Sequence, residues 1–171
     1  MPVVVMIVGT LALWGIYYFV RFGGLDHLRE QAQQRKDAER RVKARESERT
    51  APLRAIDDPR DAATVLMLLI TRGGDPTPSQ ISAIEDTMRR VFGFDHDARD
   101  RLTHARFIAG CAQSFEEAAG LFADLFRKQL NAEERRELIG MVEDIARIDG
   151  PSAIQSDNLD VLKRKMSPAT A

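Results

Sequence analysis

The side chains with the clearest chemical potential in this sequence are two histidines and an aspartate at regular spacing. His96, Asp100 and His104 recur at intervals of four residues. On a helix they would form one drifting stripe, where imidazole nitrogens and a carboxylate could bind zinc or nickel. Asp100 equally suits the first turn of a helix, where the helix dipole favours acids. Both interpretations stay open on the sequence alone.

Cys111 is the single cysteine of the chain and lies in an apolar stretch. One cysteine excludes an intramolecular disulfide and any zinc site with several cysteine ligands. A reactive thiol would need a basic neighbour, and the nearest in sequence is Arg106. We therefore expect Cys111 to be a small buried side chain.

Sequence patterns typical of enzymes are missing from the chain. It contains no nucleophile elbow, Walker A loop or dinucleotide-binding glycine pattern. Residues 55–171 carry 15 Lys and Arg against 20 Asp and Glu and contain no Tyr or Trp, which argues against nucleic-acid binding. We predict a protein that is not an enzyme, with no cofactor, no nucleic-acid partner and no evident small-molecule substrate.

The elements that would position these residues are helices. Asp58, Thr77, Ser114 and Asn131 each combine a helix-capping side chain with an acid or an amide three positions later. Apolar residues follow at helical spacing, and no segment alternates like a strand. We predict an all-α fold, with a compact helical bundle over residues 57–167 and a disordered tail at 168–171. The predicted core positions are Val65, Leu66, Leu69, Ile70, Ile81, Ile84, Met88, Val91, Leu102, Ala105, Ile108, Ala109, Ala118, Leu121, Phe122, Leu125, Phe126, Leu138, Met141, Val142, Ile145, Leu159, Leu162 and Met166.

The N-terminal segment has the pattern of a membrane anchor. Residues 2–20 carry no charge, and as a helix they would span about 28 Å, close to the thickness of a bilayer core. Trp14, Tyr17 and Tyr18 suit the membrane interface, and Arg21 follows at once. We predict one transmembrane helix over residues 1–22 of a bacterial inner-membrane protein, with the N-terminus outside and the following domain in the cytoplasm. The alternative, a cleaved signal peptide, lacks a basic start and a cleavage site.

Residues 23–56 form a charged connector. Within it, residues 25–49 hold eight Lys or Arg and six Asp or Glu, with neither Gly nor Pro. This composition favours a solvated helix that holds the domain away from the bilayer. A plain spacer and a contact with anionic lipid heads both fit the charge pattern.

Two segments of the helical part are similar to each other. Residues 69–74 resemble residues 145–150, and each segment is followed by a second apolar helix. In the alignment that pairs Ile81 with Leu159, the second loop is two residues longer than the first. A helix–turn–helix unit is therefore predicted to occur twice, with two helices between the copies.

With this arrangement, residues from about 58 to 166 resemble the TerB-like (tellurite-resistance protein B) superfamily. The resemblance implies an all-helical domain, often joined to membrane anchors. It also implies a link to tellurite and general chemical stress, to divalent-metal binding and to complexes at the inner membrane. The similarity lies in the arrangement of the helices and in the Asp149-Gly150 turn of the second copy.

The resemblance also implies metal ligands at the turns. In the family an Asp-Gly pair is followed by a Glu just before the second helix, whereas Gly73 and Gln80 replace both acids in the first copy. The carboxylates that remain as candidate ligands are Asp75, Asp149 and Asp157, with Asp144 as a further candidate. The alternative is that Asp75 and Asp149 are turn residues and that Asp157 is a helix-start acid.

These features together predict a membrane-anchored, non-enzymatic TerB-like adaptor at the cytoplasmic face of the inner membrane, linked to metal, tellurite or envelope stress. Its partners would be inner-membrane or cytoplasmic proteins that dock on its acidic surface. Two alternatives remain: an accessory or assembly subunit of a larger inner-membrane complex, and a divalent-metal-binding sensor domain.

Overall fold

A computed structural model describes residues 40–71 and 75–167, and within these ranges the chain is helical and contains no strand. The predicted all-α fold is confirmed for this part of the chain. The described helices are α1 (residues 40–54), α2 (Pro59–Leu69), α3 (Pro78–Arg90), α4 (Ala98–Cys111), α5 (Phe115–Gln129), α6 (Ala132–Arg147) and α7 (Ala153–Met166).

The predicted anchor, the first half of the predicted connector (residues 23–39) and the predicted tail lie outside the described residues. Among residues 40–71 and 75–167, no helix is long and apolar enough to cross a membrane. The chain divides into two units, Met1–Glu48 and Arg49–Ala171. The described part of the first unit, residues 40–48, is helical and exposed. The second unit begins within the segment assigned above to the connector, because Leu53 is wholly buried in it.

The helix starts lie where the capping residues predict them. The Thr77 hydroxyl accepts from the backbone N–H of Gln80, whose side chain accepts in turn from the backbone N–H of Thr77. Asn131 and Glu134 form the same reciprocal box at α6. These contacts satisfy backbone donors that a helix leaves open at its first turn, so they fix where each helix begins.

The core is built around α2. Its residues 62–68 are all buried, so every face of the helix is covered by protein. A segment surrounded in this way is apolar on every side, and its one polar side chain, Thr64, donates to the Arg60 carbonyl. The prediction of a single apolar stripe was too narrow here. Helices α3, α4, α5 and α6 pack against α2, and α7 packs against α5 and α6.

Helices α5 and α7 are parallel to each other, and α2 is antiparallel to α5. At one end the Arg127 guanidinium donates to the Lys165 carbonyl (3.1 Å), which joins the last turns of α5 and α7. Also at that end, the Gln129 side chain donates to the carbonyl of Asp57, just before α2 (2.9 Å). The last residues of α2 and the first turns of α5 and α7 therefore meet at the opposite end.

Three predictions about α3 and α7 are corrected. Helix α7 begins at Ala153, with Ser152 and Gln155 as its capping box, so Asp157 lies in its second turn and is not a helix-start acid. The two capping boxes align Gln80 of the first unit with Gln155 of the second, so the predicted alignment of Ile81 with Leu159 is out of register. The loop of the second unit is therefore the shorter one, not the longer one. Val91 is 61% exposed and does not belong to the core.

Around the start of α4, arginines lie over an aromatic ring. The Arg101 guanidinium donates to the carboxylates of Asp61 (2.9 Å) and Asp97 (2.6 Å). It also lies 4.2 Å from the centre of the Phe94 ring, and Arg60 lies 4.7 Å from the same centre. Hydrogen bonding to Arg101 lowers the pKa of Asp97. These contacts give Asp61 and Asp97 a structural role.

Candidate functional site

A groove of about 990 Å³ opens at the end of the bundle where the helix–turn–helix units meet. Its walls come from the end of α2, the residues before α3, the end of α4, the start of α5 and the start of α7. Leu69, Ala109 and Ala112 line the groove, are half-buried and supply apolar surface, while Leu68, Ile70 and Phe115 form its buried floor. The groove combines this apolar surface with an open mouth, so it suits an extended segment better than an enclosed small molecule.

The rim of the groove carries an exposed apolar side chain and several charges. Ile154, in the first turn of α7, lines the groove and is 73% exposed. Asp75 and Arg106 also line the groove, and both are exposed. Exposed Glu116 and Asp157 adjoin lining residues in the sequence. The described lining residues therefore carry one acid and one base, and the two exposed charged residues that adjoin them in the described chain are both acids.

The two helix–turn–helix units are joined to each other behind this groove. The Thr77 hydroxyl at the start of α3 donates to Asp149 in the turn between α6 and α7 (2.8 Å). The Gln155 side-chain amide at the start of α7 donates to the Ile70 carbonyl at the end of α2 (3.0 Å). Gln155 is 3% exposed, and a buried polar group of this kind is costly without such partners. The contacts fix one turn against the other, and Ile70 and Gln155 themselves line the groove.

Another wall, residues 112–114 between α4 and α5, is held by Arg49. The Arg49 guanidinium donates to both oxygens of Glu117, one of them at 2.9 Å, and to the carbonyl of Cys111. Glu117 also accepts from the backbone N–H of Gln113 (2.8 Å). Hydrogen bonding to Arg49 is the main reason that the pKa of Glu117 is lowered. We call the contacts of Arg49 with Glu117 and Cys111 the Arg49 clamp.

The predicted metal ligands lie in different settings. Asp75 is exposed in the groove wall, Asp149 accepts from Thr77, and Asp157 is exposed on α7. Within residues 40–71 and 75–167, no group of three or more His, Cys, Asp or Glu side chains is placed to hold a metal ion. The hydrogen bond from Thr77 gives Asp149 a structural role in the turn. Metal binding by these three residues stays a prediction.

The histidine stripe and the cysteine also have definite positions. His96 lies in a turn before α4, whereas Asp100 and His104 are exposed on α4 itself, so the three do not share one helix as the stripe would require. Cys111 is half-buried rather than buried, and its thiol lies 3.5 Å from the carbonyl of Phe107. This thiol is therefore within reach of a small reagent.

Sequence reasoning missed Gln155, Arg49 and Ile154 as components of the site. Gln155 had a readable signal, because Ser152 and Gln155 repeat the spacing of Thr77 and Gln80. No local sequence signal pointed to Arg49, since its partner Glu117 is 68 residues away along the chain. The exposure of Ile154 depends on which neighbours α7 meets, and no local pattern reports that.

No family model, curated protein or solved structure matches the chain. The resemblance to the TerB-like superfamily thus rests on the residues given in the sequence analysis.

Proposed function

We propose that the protein is a membrane-anchored, non-enzymatic interaction module of the TerB-like type. Its helical domain receives an apolar and basic segment of a partner protein in the groove. The observation that carries this proposal is the open groove with Ile154 exposed at its rim. An exposed isoleucine beside other apolar surface is a typical contact for a partner side chain.

The chemistry of the partner segment follows from the charges around the groove. Asp75 lines it, and exposed Glu116 and Asp157 lie next to lining residues, while Arg106 is the single basic lining residue among those described. A segment with Lys or Arg beside apolar side chains complements this surface. The acidic balance of residues 55–171 favours the same class of partner.

Site-specific photo-crosslinking in cells tests the proposal. A benzoylphenylalanine residue replaces Ile154 in the full-length protein, and a matched variant carries it at Arg136, an exposed position of α6 outside the groove lining. We expect one discrete protein adduct from position 154 and none from position 136. Equal labelling from both positions, or no adduct from position 154, would refute docking in the groove.

Two further variants define the partner. Replacing both Asp75 and Asp157 by Lys should reduce the adduct at position 154 several-fold, because charges of the same sign would then face each other. Exchanging residues 2–20 for an unrelated anchor should leave the adduct unchanged if the groove alone selects the partner. Loss of the adduct after this exchange would instead indicate an accessory subunit whose anchor packs against the complex.

A further inference from the structure

The Arg49 clamp connects three elements that are distant in sequence. Arg49 belongs to α1, Cys111 is the last residue of α4, and Glu117 lies in the first turn of α5. The clamp encloses the residues between α4 and α5, and Gln113 is bound to it through its own backbone N–H. Residues 112–114 also line the groove.

We propose that the Arg49 clamp regulates the groove by holding or releasing the wall formed by residues 112–114. The inference rests on the docking function proposed above. With the clamp closed, the wall is preorganised and the partner segment binds without ordering it. When the Arg49 side chain leaves Glu117, the wall gains freedom and docking weakens. Since linkage is reciprocal, a docked segment in turn stabilises the closed clamp.

The structure explains why the clamp can open without unfolding α1. Leu53 lies one helical turn after Arg49, on the same side of α1, and is wholly buried. Its apolar contacts hold the end of α1 in the core independently of the ion pair. The side chains of Arg49 and Glu117 are 26% and 20% exposed, so water can solvate both charges once they separate. Opening therefore has a moderate cost.

The thiol of Cys111 is a built-in probe of the clamp, since it is the only thiol in the protein and is half-buried. In Arg49→Gln, we expect the full-length protein to react with dithionitrobenzoate about fivefold faster, as loss of a charged hydrogen bond favours opening. Removing a positive charge would by itself disfavour the reactive thiolate, so faster reaction reports access. The matched control is Arg54→Gln on the same helix, which removes an equal charge that also lowers the pKa of Glu117 but breaks no hydrogen bond of the clamp, and it should react at the wild-type rate.

Two checks keep a folding defect apart from the proposed effect. Far-ultraviolet circular dichroism should show the same helix content in Arg49→Gln and Arg54→Gln. Glu117→Gln, which removes the other partner of the ion pair, should also speed the thiol reaction; its lost negative charge favours the thiolate and adds to the effect of access, so Arg49→Gln is the decisive variant. A wild-type rate in both clamp variants would overturn the inference.

Crosslinking at position 154 separates the regulation from the docking function. Arg49→Gln should lower the adduct several-fold and Arg54→Gln should not. Normal adduct yield in Arg49→Gln, with a faster thiol reaction, would refute the regulation and leave docking intact. No adduct even with Arg49 present would refute docking and the regulation that rests on it, while the thiol rates would still show whether Arg49 holds the wall.

Discussion

Replacing Gln155 by Ala tests whether the contact between the two helix–turn–helix units stabilises the bundle. The side-chain oxygen of Gln155 accepts from the backbone N–H of Ser152 (2.8 Å), and its amide group donates to the Ile70 carbonyl (3.0 Å). Gln80 is the matched control, because it occupies the same capping position in the first unit and is equally buried. What distinguishes Gln155 is its hydrogen bond to Ile70.

The expected magnitudes follow from these contacts. Loss of the capping contact costs about 1 kcal/mol of unfolding free energy in either variant. Gln155→Ala also removes the donor to the buried Ile70 carbonyl, and an unsatisfied buried acceptor costs a further 1–3 kcal/mol, roughly. We therefore expect Gln155→Ala to lower the unfolding free energy by about 2–4 kcal/mol and to exceed Gln80→Ala by about 1–3 kcal/mol.

Urea unfolding of the full-length protein, followed by far-ultraviolet circular dichroism, measures this difference. Gln155→Glu refines it, since a carboxylate still accepts from Ser152 but has no proton to give the Ile70 carbonyl when ionised. We expect Gln155→Glu to be destabilised at least as strongly as Gln155→Ala at neutral pH. If Gln155→Ala cost no more than Gln80→Ala, the bond between the units would contribute nothing to stability.

Three other predictions concern the core, a helix start and acid stability. Phe122→Ala should cost about 3–5 kcal/mol in urea unfolding, because the ring is 1% exposed and its loss leaves a cavity; a cost below that of a surface substitution would contradict the packing. Thr77→Ala should cost about 1–2 kcal/mol, through the capping box and the bond to Asp149, whereas unchanged stability would show that neither bond matters. Arg49 lowers the pKa of Glu117 from its usual 4.5, so this ion pair stabilises the fold above that pH and its contribution is lost as the pH falls through the lowered value. Glu117→Gln should therefore weaken the pH dependence of thermal unfolding below about pH 4.5. An unchanged pH profile would refute this contribution of the ion pair.

Most of the local structure could be predicted from the sequence. The capping residues Asp58, Thr77, Ser114 and Asn131 each lie where a helix begins. These contacts join residues at most a few positions apart, so residue type and spacing are sufficient to place them. The Ser152–Gln155 box follows the same rule, and its omission misplaced Asp157 and shifted the register of the second unit.

The candidate site could not be predicted in the same way. Gln155 and Ile70 are 85 residues apart, Thr77 and Asp149 are 72 apart, and Arg49 and Glu117 are 68 apart. Which of many polar side chains meet over such distances depends on how the helices pack.

The sequence by itself determined that the described part of the chain is helical and where most of its helices start, because those features are settled by neighbours within one or two turns. Tertiary structure decided that α2 is surrounded on all sides and that α5 and α7 run parallel. It also decided that the walls of one groove come from five separate parts of the chain. Packing decides these features because burying apolar faces selects which helices meet, and only then do distant polar groups find their partners.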